Sequence, residues 1–322
     1  MYEFLLVLLA SFLVTFASTP WIIPKLKKAH LVGKDVNKPS QPELPEMGGF
    51  GIVFGLSAGI LLAVALFTFF HSFGNGFNLA YLLAALSTIL LMALIGLFDD
   101  LFAMHQGIKA ILPLFASLPL VAVKAGVTMM TFPFIGPVEF GIFYALILIP
   151  IGIAGASNVT NMLAGFNGSE AGMGLVACLS LAFVAFQLGS DEALILLLSM
   201  CGALAAFLFY NWYPSKILIG DIGTLTVGAV IASAVIMGNF ETLGVIVIIP
   251  YILDFFIKVK NRFPSKGWWG QYRDGKLFSP ENPISLCQWI MKLTGGIAEK
   301  DLVLILILIE FLFGIIAISF VL

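Results

Sequence analysis

The stretch LAYLLAALSTILLMALIGLFDD, residues 79–100, is an unbroken run of uncharged, mostly apolar residues that ends in two aspartates. Its length matches the roughly 20 residues with which an α-helix crosses the hydrocarbon core of a bilayer. The whole chain has the same character, since 60% of its 322 residues are hydrophobic and only 11% are charged. A soluble domain carries about 25% charged residues. The composition therefore excludes a soluble enzyme, a nucleic-acid-binding protein and a disordered chain.

Similar runs along the chain predict an all-α polytopic integral membrane protein with ten transmembrane helices. They lie at residues 4–23, 50–70, 79–98, 108–123, 140–156, 172–188, 193–210, 222–237, 243–257 and 302–322. The first run follows Glu3 and precedes three lysines, the reverse of the charge order in a cleaved signal peptide, so we expect a retained first helix. No internal repeat or linker divides the chain. We expect one domain over residues 1–322, with a long cytoplasmic loop at 258–301 between the last two helices.

Lysine and arginine are divided unevenly between the two sets of loops that ten helices create. Fifteen of the 16 lie in the odd-numbered loops, and only Lys124 lies in an even-numbered one. Because cytoplasmic loops carry the excess of basic residues, this division predicts cytoplasmic odd-numbered loops and both termini on the non-cytoplasmic side. A wrong helix count would mix the two sets, so the division also supports the count of ten.

Reactive side chains are concentrated in the loops predicted to be cytoplasmic. Asp99 and Asp100 end the third helix, the amide-rich segment SNVTNMLAGFNGSEAG (157–172) follows the fifth, and Asp221 precedes the eighth. Each feature alone has an ordinary explanation as a solvated helix end, an N-cap or a hydrogen bond between helices. Together on one side of a bundle they favour an oxygen-rich site for Mg²⁺, a cation that substrate phosphates usually complete. The histidines and cysteines show no zinc-ligand spacing.

Four motifs follow one another along the chain: GKDVNKPSQPELPEMGG (33–49), Asp99-Asp100 with Lys109 nine residues on, NVTNMLAGFNGSEAG (158–172) and NWYPSKILIGD (211–221). They resemble the signature loops of the polyprenyl-phosphate N-acetylhexosamine-1-phosphate transferases. The resemblance covers almost the whole chain, and PEMGG and NWYPS are most similar to the branch that uses UDP-GlcNAc and dolichyl phosphate. It implies ten transmembrane helices with the active site at the cytoplasmic face.

This resemblance implies a Mg²⁺-dependent reaction, in which Mn²⁺ can replace Mg²⁺. GlcNAc-1-phosphate would pass from UDP-GlcNAc to dolichyl or another polyprenyl phosphate, releasing UMP and starting a lipid-linked glycan for protein N-glycosylation or the cell surface. The implied partners are a UDP-N-acetylhexosamine donor, a polyprenyl-phosphate acceptor and the lipid bilayer, with a homodimer as one form of assembly and no nucleic acid. The implied location is the plasma membrane of a prokaryote, with an archaeal one favoured, or the endoplasmic reticulum membrane of a eukaryote.

The resemblance also assigns roles residue by residue. Asp99, Asp100 and Lys109 would be catalytic: Lys109 would contact the lipid phosphate, and the two aspartates would orient that phosphate or accept its proton. Asn161 and Asp221 would ligate Mg²⁺. The UDP-sugar would contact Lys34, Asp35, Val36, Glu46, Asn167 and Lys266. The lipid phosphate would lie along Lys109 and Ala154, Gly155, Ala156, Ser157, Asn158, Val159, Thr160, Asn161 and Met162.

Two departures from the family pattern leave the donor sugar open. The loop 258–301 contains no histidine, although the family carries a basic, histidine-containing motif there, so Lys266, Arg262 or Arg273 would supply the charge. Leu218 also replaces an aromatic residue three positions before the metal-ligating aspartate. UDP-MurNAc-pentapeptide, UDP-GalNAc or a modified UDP-GlcNAc therefore remain alternative donors.

Other features keep more than one interpretation. Trp268 and Trp269 are either a platform for the sugar or a membrane anchor. Asp254 lies near the predicted site, and Glu310 lies in the middle of the last helix, where an ionisable residue is costly. The main rival function is a secondary transporter, whose site would lie near the midplane between repeats, and a purely structural membrane protein is the third option.

Overall fold

The structure is a computed structural model that describes residues 2–74, 76–132, 135–264 and 267–322. Helices dominate these residues. In chain order they are α1 (Tyr2–Lys28), α2 (Gly49–Phe70), α3 (Leu79–Phe102), α4 (Gln106–Ala116), α5 (Leu118–Ala122), α6 (Ile149–Met162, after a π-helical turn at Tyr144–Leu148), α7 (Ser169–Leu188), α8 (Asp191–Asn211), α9 (Gly220–Gly238), α10 (Glu241–Val247), α11 (Ile249–Lys260), α12 (Leu286–Leu293) and α13 (Glu299–Ser319).

Three short antiparallel β-hairpins lie in the connections between helices. They pair β1 (Val32–Lys34) with β2 (Glu43–Pro45), β3 (Met129–Phe132) with β4 (Gly136–Glu139), and β5 (Gln271–Arg273) with β6 (Lys276–Phe278). Within the described residues, the predicted long loop after α11 contains the β5–β6 hairpin and α12. Ser285 caps α12 by accepting the Gln288 N–H at 3.2 Å.

The helices confirm a polytopic membrane protein. Eight helices within the described residues are long and apolar enough to span a bilayer: α1, α2, α3, α6 with its preceding turn, α7, α8, α9 and α13. They correspond to the first three, the fifth to eighth and the tenth of the predicted spans. Exposed leucines and phenylalanines cover the outer faces of α1 and α13, where Leu13 and Leu308 are examples.

The fourth and ninth predicted spans are interrupted at prolines. The fourth becomes α4 and α5, with Pro113 inside α4 and a second proline at the start of α5. The ninth becomes α10 and α11, which bend by 65° and count as one broken span; Pro250 stands at the start of α11. Proline removes a backbone N–H and clashes with the preceding turn, so an apolar run that looks continuous in sequence forms two helices. The count of ten stays a prediction.

Two helices continue beyond their predicted ends and carry polar residues with them. Helix α3 includes Asp99 and Asp100, and α6 continues to Met162, so that Asn158 and Asn161 lie on one helix. The predicted ends of these two helices lie where polar side chains begin in the sequence. In the folded protein Asp99, Asp100 and Asn161 bond to neighbouring helices. Asn158 donates to the Ala154 carbonyl of its own helix at 2.8 Å.

Helix α9 occupies the centre of the bundle. Every residue from Ile222 to Met237 is buried, and α9 contacts α2, α3, α6, α7 and α8. Gly96 permits close contact between α3 and α9, because a β-carbon at that position would lie only 2.6 Å from the carbonyl oxygen of Asp221. The N-terminal turn of α9, which carries Asp221, is therefore held directly against the end of α3.

The two ends of the bundle differ in their connections. At one end the connections are tied to one another by hydrogen bonds, such as that from the Val127 N–H to Asn239 Oδ1 at 2.5 Å. At the other end lie the connections made of residues 29–48, 163–168, 212–219, 261–264 and 267–298, and each of them contributes residues to one cleft. This second end contains the candidate site.

Candidate active site

A cleft of about 1390 Å³ opens at this second end of the bundle. Carboxylates outnumber ammonium groups among the described residues that line it. The acids are Asp35, Glu46, Asp99, Asp100, Glu170 and Asp221, and the lysines are Lys34, Lys109 and Lys258. A diphosphate entering this cleft would meet a surplus of negative charge, because like charges repel strongly where water is scarce. The cleft therefore suits an anionic substrate only together with an added cation.

The two adjacent aspartates at the end of α3 make different contacts. Asp99 forms an ion pair with Lys109, which also contacts Asp221 Oδ2 at 2.6 Å. Asp100 instead accepts the backbone N–H groups of Asp221 and Ile222, at 2.8 and 3.2 Å. Asp100 thus caps the N-terminus of α9, where unpaired N–H groups favour a negative charge. The predicted catalytic trio lies together, and within it Asp100 fixes the helix that carries Asp221.

Asn161 and Asp221, the predicted metal ligands, are in direct contact. The side-chain amide of Asn161 donates to Asp221 Oδ1 at 2.6 Å and to the Thr224 hydroxyl at 2.7 Å. Thr160 donates to the backbone carbonyl of Thr224 at 3.1 Å, which locks α6 against α9. One carboxylate, that of Asp221, therefore lies between the Lys109 ammonium and the Asn161 amide.

The donor set fits Mg²⁺ better than a metal held wholly by protein. No group of three or more His, Cys, Asp or Glu side chains within residues 2–74, 76–132, 135–264 and 267–322 has the arrangement of a metal site. Mg²⁺ commonly takes only one or two protein carboxylates and completes its shell with water and substrate phosphates. Asp221 supplies such a carboxylate. Rotating the Asn161 side-chain amide by 180° would exchange its nitrogen and oxygen. Its oxygen would then face the Asp221 carboxylate, and the two residues could hold one cation between them.

Most residues predicted to hold the UDP-sugar line one side of the cleft. Lys34, Asp35 and Val36 lie in or directly after β1, and Glu46 follows β2. Burial raises the pKa of the Glu46 carboxyl above its ordinary value, and the negative charge of Asp221 raises it further. Lys266 lies outside the described residues.

Asn167 also lines the cleft, and hydrogen bonds hold both its backbone and its side chain. Its side-chain amide donates to Asp35 Oδ2 at 3.1 Å and accepts the Ser215 N–H at 3.0 Å. Its own backbone N–H donates to Glu299 Oε1 at 2.8 Å. In the NWYPS motif, the Ser215 backbone N–H holds Asn167, and Asn211 lines the cleft. Leu218 lines the cleft at the position where the family resemblance expects an aromatic ring.

The predicted lipid-phosphate segment is divided between the two faces of α6. Ala154, Gly155, Ala156, Asn158, Val159, Asn161 and Met162 line the cleft. Ser157 and Thr160 do not: both are buried, and Thr160 is bonded to α9. Residues three apart share a helix face, so a continuous segment of α6 cannot line one groove with every side chain.

Lys258 is a cleft residue that sequence reasoning missed. Its ammonium pairs with Asp254 Oδ2 at 2.7 Å and donates to the backbone carbonyl of Met162, at the end of α6. Asp254 is fully buried and also accepts the Leu286 N–H at 2.7 Å, which anchors the start of α12. The spacing of Asp254 and Lys258, four residues apart on a helix, was the signal that could have found the pair.

Trp268 and Trp269, which are adjacent in the long loop, both line the cleft. The Trp268 ring lies 5.4 Å from that of Trp269 and 6.3 Å from that of Phe166, measured between centroids. Gly165, with φ of +109°, allows this packing, because a β-carbon there would collide with the Trp268 ring. Arg262 and Arg273, the suggested substitutes for the missing histidines, are not among the residues lining the cleft.

Two further polar residues, His105 and Glu310, are not among the described residues that line the cleft. His105 caps α4 by accepting the Gly107 N–H. Glu310 is fully buried in α13, and its carboxyl oxygens have no hydrogen-bond partner in the described part of the chain. Neither residue has a described hydrogen bond to the acids that line the cleft.

Comparisons with known proteins show what the whole chain is similar to. Residues 82–239 match glycosyl transferase family 4. A relative in Saccharolobus solfataricus, provisionally named UDP-N-acetylglucosamine–dolichyl-phosphate N-acetylglucosaminephosphotransferase, is 37% identical over 98% of this chain and 95% of its own length. A relative of the same provisional name in Sulfolobus acidocaldarius is 36% identical, with the same coverage of both chains. The enzyme of that name in Dictyostelium discoideum is 29% identical over 92% of this chain and 83% of its own.

Proposed function

The chain belongs to glycosyl transferase family 4, and from this we propose that it transfers GlcNAc-1-phosphate from UDP-GlcNAc to dolichyl or a related polyprenyl phosphate. The products are the lipid diphosphosugar and UMP. The observation that carries the proposal is the position of Asp221, whose carboxylate contacts both the Lys109 ammonium and the Asn161 amide. A lipid phosphate bound at Lys109 and a nucleotide diphosphate bound through a metal at Asn161 would meet at this one carboxylate.

The apolar side of the cleft suits a lipid acceptor. Ile151, Val245 and Phe256, from α6, α10 and α11, line it and are each more than half exposed. These apolar side chains and the carboxylates around Asp221 line the same cleft. A polyprenyl chain would lie along these side chains in the bilayer while its phosphate reaches Lys109.

Asp221 and Asn161 would hold the magnesium ion, and Mn²⁺ could replace it. Bound there, the ion would neutralise charge on the diphosphate during phosphoryl transfer. The surplus of carboxylates in the cleft supports this requirement.

The protein's own residues bind and orient the two phosphates. An oxygen of the lipid phosphate attacks the β-phosphorus of UDP-GlcNAc, and the bond from that phosphorus to the oxygen shared with the α-phosphate breaks. UMP leaves with the electron pair. The second pKa of a phosphate monoester is about 6, so the attacking oxygen is largely ionised near neutral pH. Asp99 therefore serves mainly to hold Lys109 in place, and the rate depends on positioning and electrostatics.

We also propose the finer topology, with α4–α5 as the fourth crossing and α10–α11 as the ninth. Both termini would then lie outside and the cleft would face the cytoplasm, as the fifteen basic residues of the odd-numbered loops support. The plasma membrane of an archaeal cell is the proposed location, and assembly as a homodimer stays a prediction.

A different UDP-sugar donor is the second candidate. Leu218 at the cleft wall and the absence of histidine from the long loop both favour testing it. Turnover of UDP-GalNAc or UDP-MurNAc-pentapeptide in place of UDP-GlcNAc would keep the mechanism and change the donor.

The proposal is tested with Asp221→Asn in detergent-purified protein supplied with UDP-GlcNAc, dolichyl phosphate and Mg²⁺. We expect UMP release to fall by about a hundredfold or more, since the variant loses an anionic metal ligand and the partner of Lys109, a loss of roughly 3 kcal/mol. Asp191→Asn is the matched control, because it makes the same change in the first turn of α8 at the opposite end of the bundle. Near-normal turnover by folded Asp221→Asn would refute the site.

A further inference from the structure

A ring of four polar residues lies behind the donor side of the cleft. Lys38 pairs with Asp35 Oδ2 at 3.1 Å and with Glu299 Oε2. Glu299 Oε1 accepts the Asn167 backbone N–H at 2.8 Å, and the Asn167 amide returns to Asp35 Oδ2 at 3.1 Å. The ring joins three segments of the chain: the loop between β1 and β2, the loop between α6 and α7, and the first turn of α13.

The members of this ring have different access to the cleft. Asp35 and Asn167 line it, whereas Lys38 and Glu299 are not among the lining residues. Asp35, Asn167 and Glu299 are 5%, 3% and 6% exposed. Lys38 and Glu299 can therefore affect a bound donor only through Asp35 and Asn167.

The ring fixes the orientation of the Asn167 amide. Its hydrogen bonds to Asp35 and from Ser215 use one N–H and one lone pair of that amide. An amide has two N–H donors and an oxygen with two lone pairs, so one of each remains for a ligand within the described contacts. A donor and an acceptor side by side match the edge of a nucleobase, provided that the amide cannot rotate.

A purely structural role explains the ring less well. Two carboxylates share one ammonium in a nearly dry setting, with the Tyr213 ring 4.7 Å from Lys38 Nζ. Buried ion pairs stabilise folds poorly, and apolar residues of similar volume often replace them without loss. We interpret the ring instead as fixing the side-chain positions of Asp35 and Asn167.

We propose that Glu299, with Lys38 as its counter-ion, is a positioning residue that sets the affinity for the nucleotide end of the donor. The inference rests on the proposed function, since it assumes that Asp35 and Asn167 contact a UDP-sugar. It makes the first turn of the last membrane helix part of the donor site, although that turn touches no substrate. The acceptor side, built from Lys109 and α6, is separate from the ring and should not respond to it.

The test measures both substrates separately in Glu299→Gln and in Lys38→Met. Each variant removes one charge of the pair, so the result does not depend on the folding of a single protein. We expect the KM for UDP-GlcNAc to rise about tenfold or more, the loss expected for a charge-assisted hydrogen bond. The KM for dolichyl phosphate and kcat should stay within about twofold, because the ring does not reach Lys109 or the reacting phosphates.

Asp301→Asn is the matched control, because it removes an exposed acid two residues further along the same helical turn. Calorimetric binding of UDP with Mg²⁺, without lipid, gives a readout that does not require turnover. If the wild type binds UDP but transfers no sugar phosphate, the proposed function fails while the ring can still be judged from binding. Unchanged UDP affinity in folded Glu299→Gln would overturn the inference. An equal rise in both KM values would also overturn it, since that pattern indicates a structural role.

Discussion

Asp99 and Asp100 show how two identical neighbours acquire different tasks. Consecutive residues on a helix point about 100° apart, so Asp99 faces Lys109 while Asp100 faces the start of α9. The sequence predicts that both aspartates matter, because they end an apolar helix beside other acids. It does not predict which one caps α9, since that depends on a helix end more than a hundred residues away in the chain.

At this scale we predict that Asp100→Ala lowers the melting temperature more than Asp100→Asn does. Asparagine keeps one acceptor oxygen and can retain one of the two bonds, which go to different oxygens of Asp100, whereas alanine loses both and costs about 1 kcal/mol or more. Thermal unfolding in detergent measures the difference, with Asp301→Asn as a control for the loss of a charge. Equal melting temperatures for the alanine and asparagine variants would show that the bonds from Asp221 and Ile222 are not a cap.

Helix α11 illustrates what the sequence does and does not predict at the scale of elements. Hydropathy correctly predicts an apolar segment there, and Pro250 is visible in the sequence, but the 65° bend depends on how α10 packs beside it. The bend leaves Asp254 and Lys258 between the end of α6 and the start of α12. The pair therefore links α6, which carries Asn161, to the start of α12.

We predict that Asp254→Leu destabilises the protein strongly, because it leaves the Lys258 ammonium buried without a counter-ion. The expected cost is about 3–5 kcal/mol. The double variant Asp254→Leu with Lys258→Met should recover much of this stability, since no buried charge then remains. Unfolding curves of the three proteins decide the matter: a single variant as stable as the wild type would contradict the ion pair.

At the scale of the whole molecule, the sequence predicts those features that depend on residues close together in the chain. Apolar length identified the spanning helices, and the positions of acids and amides identified the residues that meet in the cleft. The Lys38–Glu299 pair was not predictable, because its members are 261 residues apart and neither belongs to a motif that marks an active site. The motif predicts that Ser157 and Thr160 line the lipid-phosphate groove with their neighbours, because a linear motif does not show which face of a helix packs against the bundle.

At this scale we predict that removing divalent cations stops the reaction without unfolding the protein. The cleft carries more carboxylates than ammonium groups within the described residues, and helix packing rather than a metal holds the bundle together. A chelator should abolish UMP release, Mg²⁺ or Mn²⁺ should restore it, and the melting temperature should move little. Full activity in the chelator would remove the cation from the mechanism.

The most direct test of the central claim is the balance of products in one reaction of the purified protein with UDP-GlcNAc, dolichyl phosphate and Mg²⁺. UMP and lipid-linked diphospho-GlcNAc should form in equal amounts, and neither should form when the lipid phosphate is left out. UMP without a lipid product would indicate hydrolysis of the donor. No UMP from folded protein with any UDP-sugar would contradict the assignment of the cleft as a sugar-phosphate transferase site.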